Sequence, residues 1–259
     1  MRLIKRLAAV ILCAALVIAV PACTAGTGKV ADVEKQLKLI ADNAEIWLFR
    51  EPVGFEWYAV TDLDGNGRLE IARCEASVGT GLYSWSRFYE VNEAKDGLYE
   101  CTLPYAEGDS QPDLVDEGAV CYLSDGVFYY VVYDVLRNGY AEWYCVKSAL
   151  SLKDGKISDR HLDSLSYYND YDLEKEEDHV TYTYSDAEGN AVTAGSEEEL
   201  SALFKETDKY FPNAEKYEAT FGWVNAGDGE LPDYDGLTAL LRESYSMFGI
   251  VRENEKKSI

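Results

Sequence analysis

Apolar residues recur at the spacing of an amphipathic helix near both ends of the chain. The first set predicts a helix over residues 30–48 and consists of Val30, Val33, Leu37, Ile40, Ala44 and Trp47. The last set predicts a helix over residues 237–248 and consists of Leu237, Leu240, Leu241, Tyr245 and Phe248. Another helix is predicted to begin at Ser196, because Glu199 completes the capping-box spacing ahead of an apolar run.

The region between these helices changes to β-rich segments that are separated by turn dipeptides. Strands are expected over residues 55–60, 70–74, 120–123, 127–136, 140–152 and 180–184. Asp125-Gly126, Asn138-Gly139 and Asp154-Gly155 favour tight hairpins between strands, because Asp, Asn and Gly tolerate positive φ. We therefore predict an α+β fold, in which one antiparallel β-meander sheet is packed by an N-terminal helix and by C-terminal helices.

The segment over residues 158–177 is polar and acidic, and its composition predicts irregular structure. A weak domain boundary is therefore expected near residues 158–179. Apart from it, residues 30–259 are predicted to form a single α+β domain. Twenty Tyr, eight Phe and five Trp supply enough apolar surface for its core.

The N-terminal segment has the layout of a bacterial export signal. Basic residues precede an unbroken apolar run over residues 7–20, which is shorter than the roughly 20 residues that a membrane-spanning helix needs. Cys23 then follows Val20, Pro21 and Ala22, which is where a lipobox places its lipidated cysteine.

We predict a signal peptide over residues 1–22, a lipid anchor on Cys23 and a flexible tether over residues 23–29. This arrangement places the mature protein on the extracellular face of a bacterial cell membrane. The alternative is cleavage after Ala22 or Ala25 by an ordinary signal peptidase, which leaves a secreted protein without a lipid.

Acidic residues dominate the charge of the chain. The formal net charge is −23, and loss of residues 1–22, with three basic residues and no acidic one, moves it to −26. Such a surface repels phosphate backbones, which argues against nucleic acid as a partner. It also disfavours anionic lipid headgroups, so the lipid on Cys23 is the expected membrane contact. The same charge favours cations.

Four cysteines remain after the signal and the anchor are set aside: Cys74, Cys101, Cys121 and Cys145. Two-residue turns in the meander place Cys121 opposite Tyr130 and Cys145 opposite Val132, about 10 Å apart across a central strand. A disulfide needs Cα atoms within roughly 7 Å, so this register disfavours the pair Cys121–Cys145. Other disulfides and buried thiols both stay open as alternatives.

Oxygen-bearing side chains alternate along the stretch DLDGNGRLE, from Asp62 to Glu70. Carboxylate and amide oxygens at alternate positions of a tight loop converge on one hard cation such as Ca²⁺. The predicted ligands are Asp62, Asp64, Asn66, the carbonyl of Arg68, and Glu70. Carboxylates crowded into nine residues repel one another unless a cation is bound, which favours this interpretation. The alternative is an Asx-rich hairpin turn without a metal.

The loop differs from an EF-hand, because Arg73 occupies the twelfth position, where an EF-hand needs a bidentate Glu. Predicted strands also flank it in place of helices. The nine-residue form with a closing acid at Glu70 resembles the FG-GAP loops of integrin-like and VCBS repeats. That resemblance covers the loop and its flanking strands, and it implies the same five ligands around a structural Ca²⁺. Tandem copies are missing, so it does not imply a propeller.

A looser resemblance extends over most of the mature chain. It consists of the lipobox, YAVTDLDGNGRLE at 58–70, GLY at 81–83 and LRNGYAEW at 136–143. In these features the chain is similar to surface lipoproteins of Gram-positive bacteria, which have no agreed activity. The resemblance implies a location on the cell surface and no particular reaction.

The strands are rich in aromatic residues, and two interpretations of them stay open. Exposed Tyr and Trp rings can stack on sugars, whereas buried ones simply pack the core and form cross-strand pairs. The residues concerned are Tyr83, Trp85, Phe88, Tyr89, Tyr129, Tyr133, Tyr140, Trp143 and Tyr144.

Motifs of the common enzyme classes are missing from the sequence. His161 and His179 are the two histidines, and both are expected to be solvated. We therefore expect a lipid-anchored cell-surface binding protein with a structural calcium and an unidentified extracellular partner. One alternative is a carbohydrate-binding accessory protein, with a glycan as partner. The other is an extracellular hydrolase that uses a pair of carboxylates.

Overall fold

The computed structural model describes residues 27–48, 55–78, 82–104, 117–139, 141–194, 196–225 and 233–253. Two compact units divide the chain between Lys35 and Gln36, and the second unit carries the β-sheets. The predicted signal peptide and Cys23 lie outside the described residues. Within the described ranges, no helix has the length and apolar character that crossing a membrane requires.

Four strands form an antiparallel sheet in which chain order and spatial order agree. They are β1 (Phe55–Thr61), β2 (Glu70–Val78), β3 (Leu82–Val91) and β4 (Leu98–Glu100). The predicted pairing of the two strands beside the DLDGNGRLE loop is confirmed, since Thr61 faces Glu70 at the base of the loop. An isolated bridge between Tyr58 and Val224 joins a later segment to the outer edge of β1.

Eight further strands form a second sheet. They are β5 (Gly118–Ser124), β6 (Val127–Asn138), β7 (Glu142–Lys153), β8 (Lys156–Asp172), β9 (Glu177–Asp186), β10 (Ala191–Ala194), β11 (Glu215–Thr220) and β12 (Gly249–Arg252). Their order across the sheet is β10-β9-β8-β7-β6-β5-β11-β12. Strands β5 to β10 pair antiparallel with their chain neighbours, which is the predicted meander.

The helices are α1 (Thr27–Asp42), α2 (Ala44–Trp47), α3 (Glu197–Lys205) and α4 (Tyr234–Met247). With these helices at either end of the strands, the predicted α+β fold class is confirmed. The helix predicted over residues 30–48 is interrupted at Asn43, whose side-chain amide donates to the carbonyl of Leu39 at 2.8 Å. Ser196 precedes α3 as predicted, but its hydroxyl donates to the Glu199 carboxylate at 3.2 Å and caps no backbone N–H.

The strands divide between two packed sheets, although the sequence analysis expected one. Ala59 and Phe88 of the four-stranded sheet share a buried cluster with Tyr130 and Leu150 of the eight-stranded sheet. The opposite face of the larger sheet is covered by α3 and by the segment around Phe211. Alternation shows which face of a strand is buried but not which sheet the strand joins, so the division depends on tertiary packing.

The irregular structure predicted over residues 158–177 is wrong, because this segment forms most of β8. A register shift beside Lys147 of β7 inserts Leu162 of β8 as a β-bulge, so the apolar positions lose their period of two. The same strand buries Asp163 and Asn169, whose polarity hides the buried pattern further. Backbone pairing to both neighbouring strands stabilises β8 despite its polar composition.

The predicted position of Cys145 is also wrong. Asn138 extends β6 and pairs with Glu142 instead of forming a turn with Gly139, so Cys145 faces Val135 and not Val132. Cys121 faces Tyr130 as predicted. The odd offset along β6 places the two cysteines on opposite faces of the sheet. None of the four cysteines forms a disulfide in the part of the chain that the structure describes, and three of them are buried.

Candidate metal centre

The loop between β1 and β2 is shaped by two glycines and by its own aspartates. Gly65 and Gly67 have φ values of 69° and 79°, a conformation that costs glycine little because it has no Cβ. Asp62 Oδ1 accepts the Gly67 N–H at 3.2 Å, and Asp64 Oδ1 accepts the Asn66 N–H at 3.1 Å. These local bonds fold the loop back so that its acidic side chains lie together.

Three carboxylates converge inside this loop. One carboxylate oxygen from each of Asp62, Asp64 and Glu70 lies within 4.8 Å of the other two. Burial raises the pKa of Asp62 and of Asp64, and repulsion from a neighbouring carboxylate raises each pKa further. A hard cation at the point of convergence would offset this repulsion, so the three residues can hold a metal ion.

Glu70 closes the loop from inside the protein and is fully buried. Its Oε2 accepts the Leu63 N–H at 2.8 Å and the Thr61 hydroxyl at 3.0 Å. Its Oε1 has no hydrogen-bond partner among the described residues. Burial raises the pKa of Glu70 well above its usual value, and the neighbouring carboxylates add to that rise. A buried oxygen without a partner costs free energy, so Oε1 points to a bound ligand.

Asn66 and Arg68, the two other predicted ligands, are engaged in hydrogen bonds at the rim of the loop. Asn66 Oδ1 accepts the Arg68 N–H at 2.7 Å, and Asn66 Nδ2 donates to Asp64 Oδ2 at 2.8 Å. The Arg68 side chain points to Glu90, with Nη2 2.6 Å from Oε1. The structure therefore brings together the carboxylates of three predicted ligands and directs the Asn66 oxygen to the loop backbone.

Glu90 belongs to the same cluster, although it lies outside the motif that the sequence shows. It is fully buried on β3 and lies directly opposite Glu70 of β2. Its Oε1 also accepts Asn66 Nδ2 at 2.9 Å, and its Oε2 accepts the hydroxyl of Tyr99. In the sequence, a single glutamate beside Val91 does not by itself indicate a metal site. Only the register between β2 and β3 shows that it faces the loop.

Gln36 and Tyr130 also connect the loop to the rest of the protein. Gln36 Nε2 donates to the Gly67 carbonyl at 3.0 Å, and Gln36 Oε1 accepts the Leu69 N–H at 2.9 Å. The buried Tyr130 hydroxyl donates to the Leu63 carbonyl at 2.5 Å. Because Tyr130 belongs to the core between the sheets, the loop geometry depends on the packing of both sheets.

A cavity of about 560 Å³ lies near β1 and the C-terminal end of α4. Its lining consists of Trp57, Glu117, Thr220, Phe221, Trp223 and Met247. The volume lies in the range typical of small-molecule sites, and an apolar aromatic wall with few polar groups is their usual composition. The cavity is therefore a candidate ligand site, separate from the acidic loop in the residues that form it.

The aromatic residues of the strands divide between the two interpretations. Phe88 and Tyr89 are buried in the core, and Trp143 stacks on Tyr167 with centroids 6.1 Å apart. Tyr144 remains 36% exposed on the meander. The side chains of Tyr83, Trp85 and Tyr140 lie outside the described part of the structure. His161 and His179 are both exposed, in agreement with the expectation that they are solvated.

A buried ion pair connects α3 and the segment after it to the larger sheet. Lys147 Nζ lies 3.0 Å from Asp163 Oδ1, and neither side chain is exposed. Tyr210 donates its hydroxyl to Asp163 Oδ2 at 3.0 Å, and Lys147 donates to the Phe204 carbonyl. Burial lowers the pKa of Lys147. Lys147 neutralises the buried Asp163 charge, as in a structural ion pair.

The acidic loop is thus the described site with the clearest chemistry, because it gathers oxygen ligands around a buried oxygen that lacks a partner. Its ligand set suits a hard cation. No family model, no curated protein and no solved structure matches this chain, so its function is inferred from its own geometry.

Proposed function

We propose that this chain is a lipid-anchored cell-surface binding protein in which residues 62–70 hold a structural calcium ion. The observation that carries the proposal is the buried Glu70 Oε1, which lacks a hydrogen-bond partner among the described residues beside two converging aspartates. A calcium ion there links the end of β1 to the start of β2. Its role is to fix this hairpin, and the extracellular partner binds elsewhere on the surface.

Calcium is the cation that this set of ligands favours. The three converging groups are carboxylates, whereas zinc prefers nitrogen and sulfur ligands. Magnesium demands near-ideal octahedral geometry and keeps most of its water, while calcium accepts irregular oxygen shells. Outside the cell, sites with dissociation constants of roughly 0.1–1 mM are common in structural modules. A net charge of −23 also raises the local concentration of cations.

Thermal unfolding with calcium and with a chelator tests the metal site. At a calcium concentration of about 100 times the dissociation constant, the melting temperature is expected to rise by about 5–10 °C. Asp64→Asn is expected to abolish this rise, because it removes one of the converging carboxylates. A wild-type melting temperature that calcium leaves unchanged would refute the metal site.

A matched control comes from a second acidic turn of the chain. Asp186 accepts the N–H groups of Glu188 and Asn190 at 3.0 and 2.8 Å in an exposed turn. Asp186→Asn therefore removes a similar Asx carboxylate away from the converging cluster. The variant is expected to keep the full calcium response, so that any loss in Asp64→Asn reports the site and not a general loss of charge.

The lipid anchor needs its own experiment, because it rests on the residues around Cys23. Cells that express the full chain are labelled with a fatty-acid analogue and then separated into membrane and soluble fractions. The wild-type chain is expected in the membrane fraction with label, and Cys23→Ala without label. Label that persists in Cys23→Ala would remove the anchor from the proposal.

The aromatic cavity favours carbohydrate binding as a second candidate function. Trp57 and Trp223 provide ring surfaces for the apolar faces of a sugar, and the Glu117 carboxylate can accept hydrogen bonds from its hydroxyls. A glycan array on the purified chain tests this candidate, with Trp223→Ala as the variant and Tyr168→Ala, an exposed tyrosine away from the cavity, as the control. Equal binding by both variants, or no bound glycan, would reject it.

A further inference from the structure

Glu90 contacts two residues of the acidic loop although it lies on another strand. Its Oε1 is 2.6 Å from Arg68 Nη2 and 2.9 Å from Asn66 Nδ2. Its Oε2 accepts the Tyr99 hydroxyl. Glu90 is fully buried, and Arg68 is mostly buried, with 21% of its side chain exposed. Both oxygens of Glu90 are thus occupied, so this residue is not an additional open ligand.

The Arg68 side chain adds a positive charge beside the converging carboxylates, as does Lys95, which donates to the Gly67 carbonyl at 3.5 Å. Asp62, Asp64 and Glu70 carry three negative charges when ionised, and Arg68 paired to Glu90 adds none in total. Without Glu90, the Arg68 guanidinium would stand as an uncompensated cation beside the site and would repel a metal ion. Without Arg68, the buried Glu90 carboxylate would stand as a fourth negative charge and would attract one.

We propose that the Arg68–Glu90 ion pair sets the affinity of the acidic loop for divalent cations, with Glu90 as a positioning and charge-compensating residue. The pair fixes the guanidinium on Glu90 and cancels its charge. This inference rests on the proposed function, since it concerns the affinity of the same metal site. It assigns a role to a residue outside the loop and to the Arg68 side chain, apart from any role of the Arg68 carbonyl.

Calcium titration calorimetry of the full chain tests the proposal with four variants. Arg68→Gln is expected to bind calcium about tenfold more tightly, and Glu90→Gln about tenfold more weakly, because a unit charge is removed close to the ion in each case. The double variant Arg68→Gln/Glu90→Gln restores the wild-type net charge. It is expected to bind within about threefold of wild type. Arg68→Lys keeps the charge and is expected to behave like the double variant.

Terbium luminescence supplies a second readout, because Tb³⁺ is a hard cation that takes similar oxygen ligands. Tyr130 donates to the Leu63 carbonyl inside the loop, so its ring lies close enough to sensitise a bound Tb³⁺ ion. The order of affinities is expected to match that for calcium. Far-ultraviolet circular dichroism of each variant checks that the strands remain folded before its affinity is compared.

Opposite shifts in the two single variants are the result that a purely structural role would not produce. Weaker binding by both Arg68→Gln and Glu90→Gln would overturn the charge proposal. It would not contradict calcium binding by the wild-type chain. Unchanged affinity in both variants would overturn it as well. A wild-type chain that binds neither Ca²⁺ nor Tb³⁺ would overturn this inference together with the metal site on which it rests.

Discussion

Glu70 and Glu90 lie directly opposite each other on β2 and β3, and both side chains are fully buried. Like charges at such cross-strand positions destabilise a sheet. Arg68 compensates Glu90 at 2.6 Å, whereas Glu70 keeps one oxygen without a hydrogen-bond partner among the described residues. The unfavourable charge is therefore concentrated on Glu70, and the stability of this hairpin is expected to depend on a bound cation.

Glu70→Gln is expected to have opposite effects on stability with and without calcium. In a chelator the variant is expected to be about 1–2 kcal/mol more stable than wild type, because it removes a buried charge that faces another. In calcium it is expected to be the less stable protein, because a ligand is lost. Urea unfolding under both conditions measures the two differences.

The exposed pair of Arg87 and Glu100, at 2.5 Å, supplies the control for this experiment. Glu100→Gln also neutralises a glutamate of the same sheet, but at a solvated position, so both differences are expected to stay below about 1 kcal/mol. A Glu70→Gln variant that is destabilised equally in chelator and in calcium would show that Glu70 has only a structural role.

Removal of one partner from the buried pair Lys147–Asp163 is expected to cost about 3 kcal/mol of unfolding free energy. Lys147→Met leaves the buried Asp163 charge with the more distant Lys209 ammonium at 3.9 Å and the hydroxyl of Tyr210, which offset only part of that cost. The double variant Lys147→Met/Asp163→Leu is expected to recover most of the loss, because it leaves no uncompensated charge. Denaturant unfolding measures the cycle, and a double variant as unstable as the sum of its singles would contradict it.

The Cys121 thiol is expected to make the protein less stable at alkaline pH. Burial raises the pKa of Cys121 from 9.0 to about 12, so the folded protein holds this proton more tightly than the unfolded chain. The resulting stability is fully present below pH 9 and is lost as the pH rises toward 12. Within that window, wild-type stability is expected to fall by about 1 kcal/mol per pH unit more than that of Cys121→Ala.

Urea unfolding at a series of pH values from 8 to about 11 measures this difference in slope. Val132→Ala is the matched control, since Val132 belongs to the same buried cluster and carries no titratable group. This variant is expected to be destabilised by a similar amount at every pH. Parallel curves for wild type and Cys121→Ala would show that the thiol does not contribute to the alkaline loss.

Gly222 is expected to tolerate no side chain, because a Cβ there would lie 2.1 Å from the Ser244 carbonyl oxygen. Ser244 of α4 also donates its hydroxyl to the Gly222 carbonyl at 2.5 Å and accepts the Val60 N–H at 2.8 Å. Gly222→Ala is therefore expected to lower the unfolding free energy by about 3 kcal/mol or more.

Two further variants keep this prediction testable if Gly222→Ala does not fold. Ser244→Ala leaves the buried Val60 N–H without its acceptor and is expected to cost about 1–3 kcal/mol. Gly189→Ala is the control, because its Cβ would meet nothing within 4 Å, and only its φ of 84° opposes the change, by about 1 kcal/mol. A control as damaging as Gly222→Ala would rule out the close helix contact as the cause.

Much of the fold was predictable because its signals are local. Asp125 and Gly126 both have positive φ, and Ser124 faces Val127 across the two-residue turn that they form. The dipeptide alone predicts this geometry, since few other residues accept it. The start of α3 at Ser196 and the hairpin of β1 and β2 follow from similar short-range patterns. The α+β class follows from the order of these elements.

Other features depended on neighbours that are distant in the chain. The polar strand β8 is stabilised by backbone pairing with β7 and β9. The polar side chains of β8 do not indicate this pairing in the sequence. The division of the strands into two sheets depends on which buried faces meet. The pairing of Asn138 with Glu142 placed Cys145 opposite Val135 instead of Val132. A change of one residue moves a side chain to the other face because the strand period is two.

The acidic loop combines features that its sequence pattern predicts with features that depend on tertiary packing. The alternating oxygen-bearing residues around two glycines predicted that Asp62, Asp64 and Glu70 converge, and their carboxylates do lie together. Packing of the sheets buries Glu70 with an oxygen that lacks a partner among the described residues, and the strand register places Glu90 opposite it. Burial and strand register depend on residues far along the chain, and they determine the free energy of a charge.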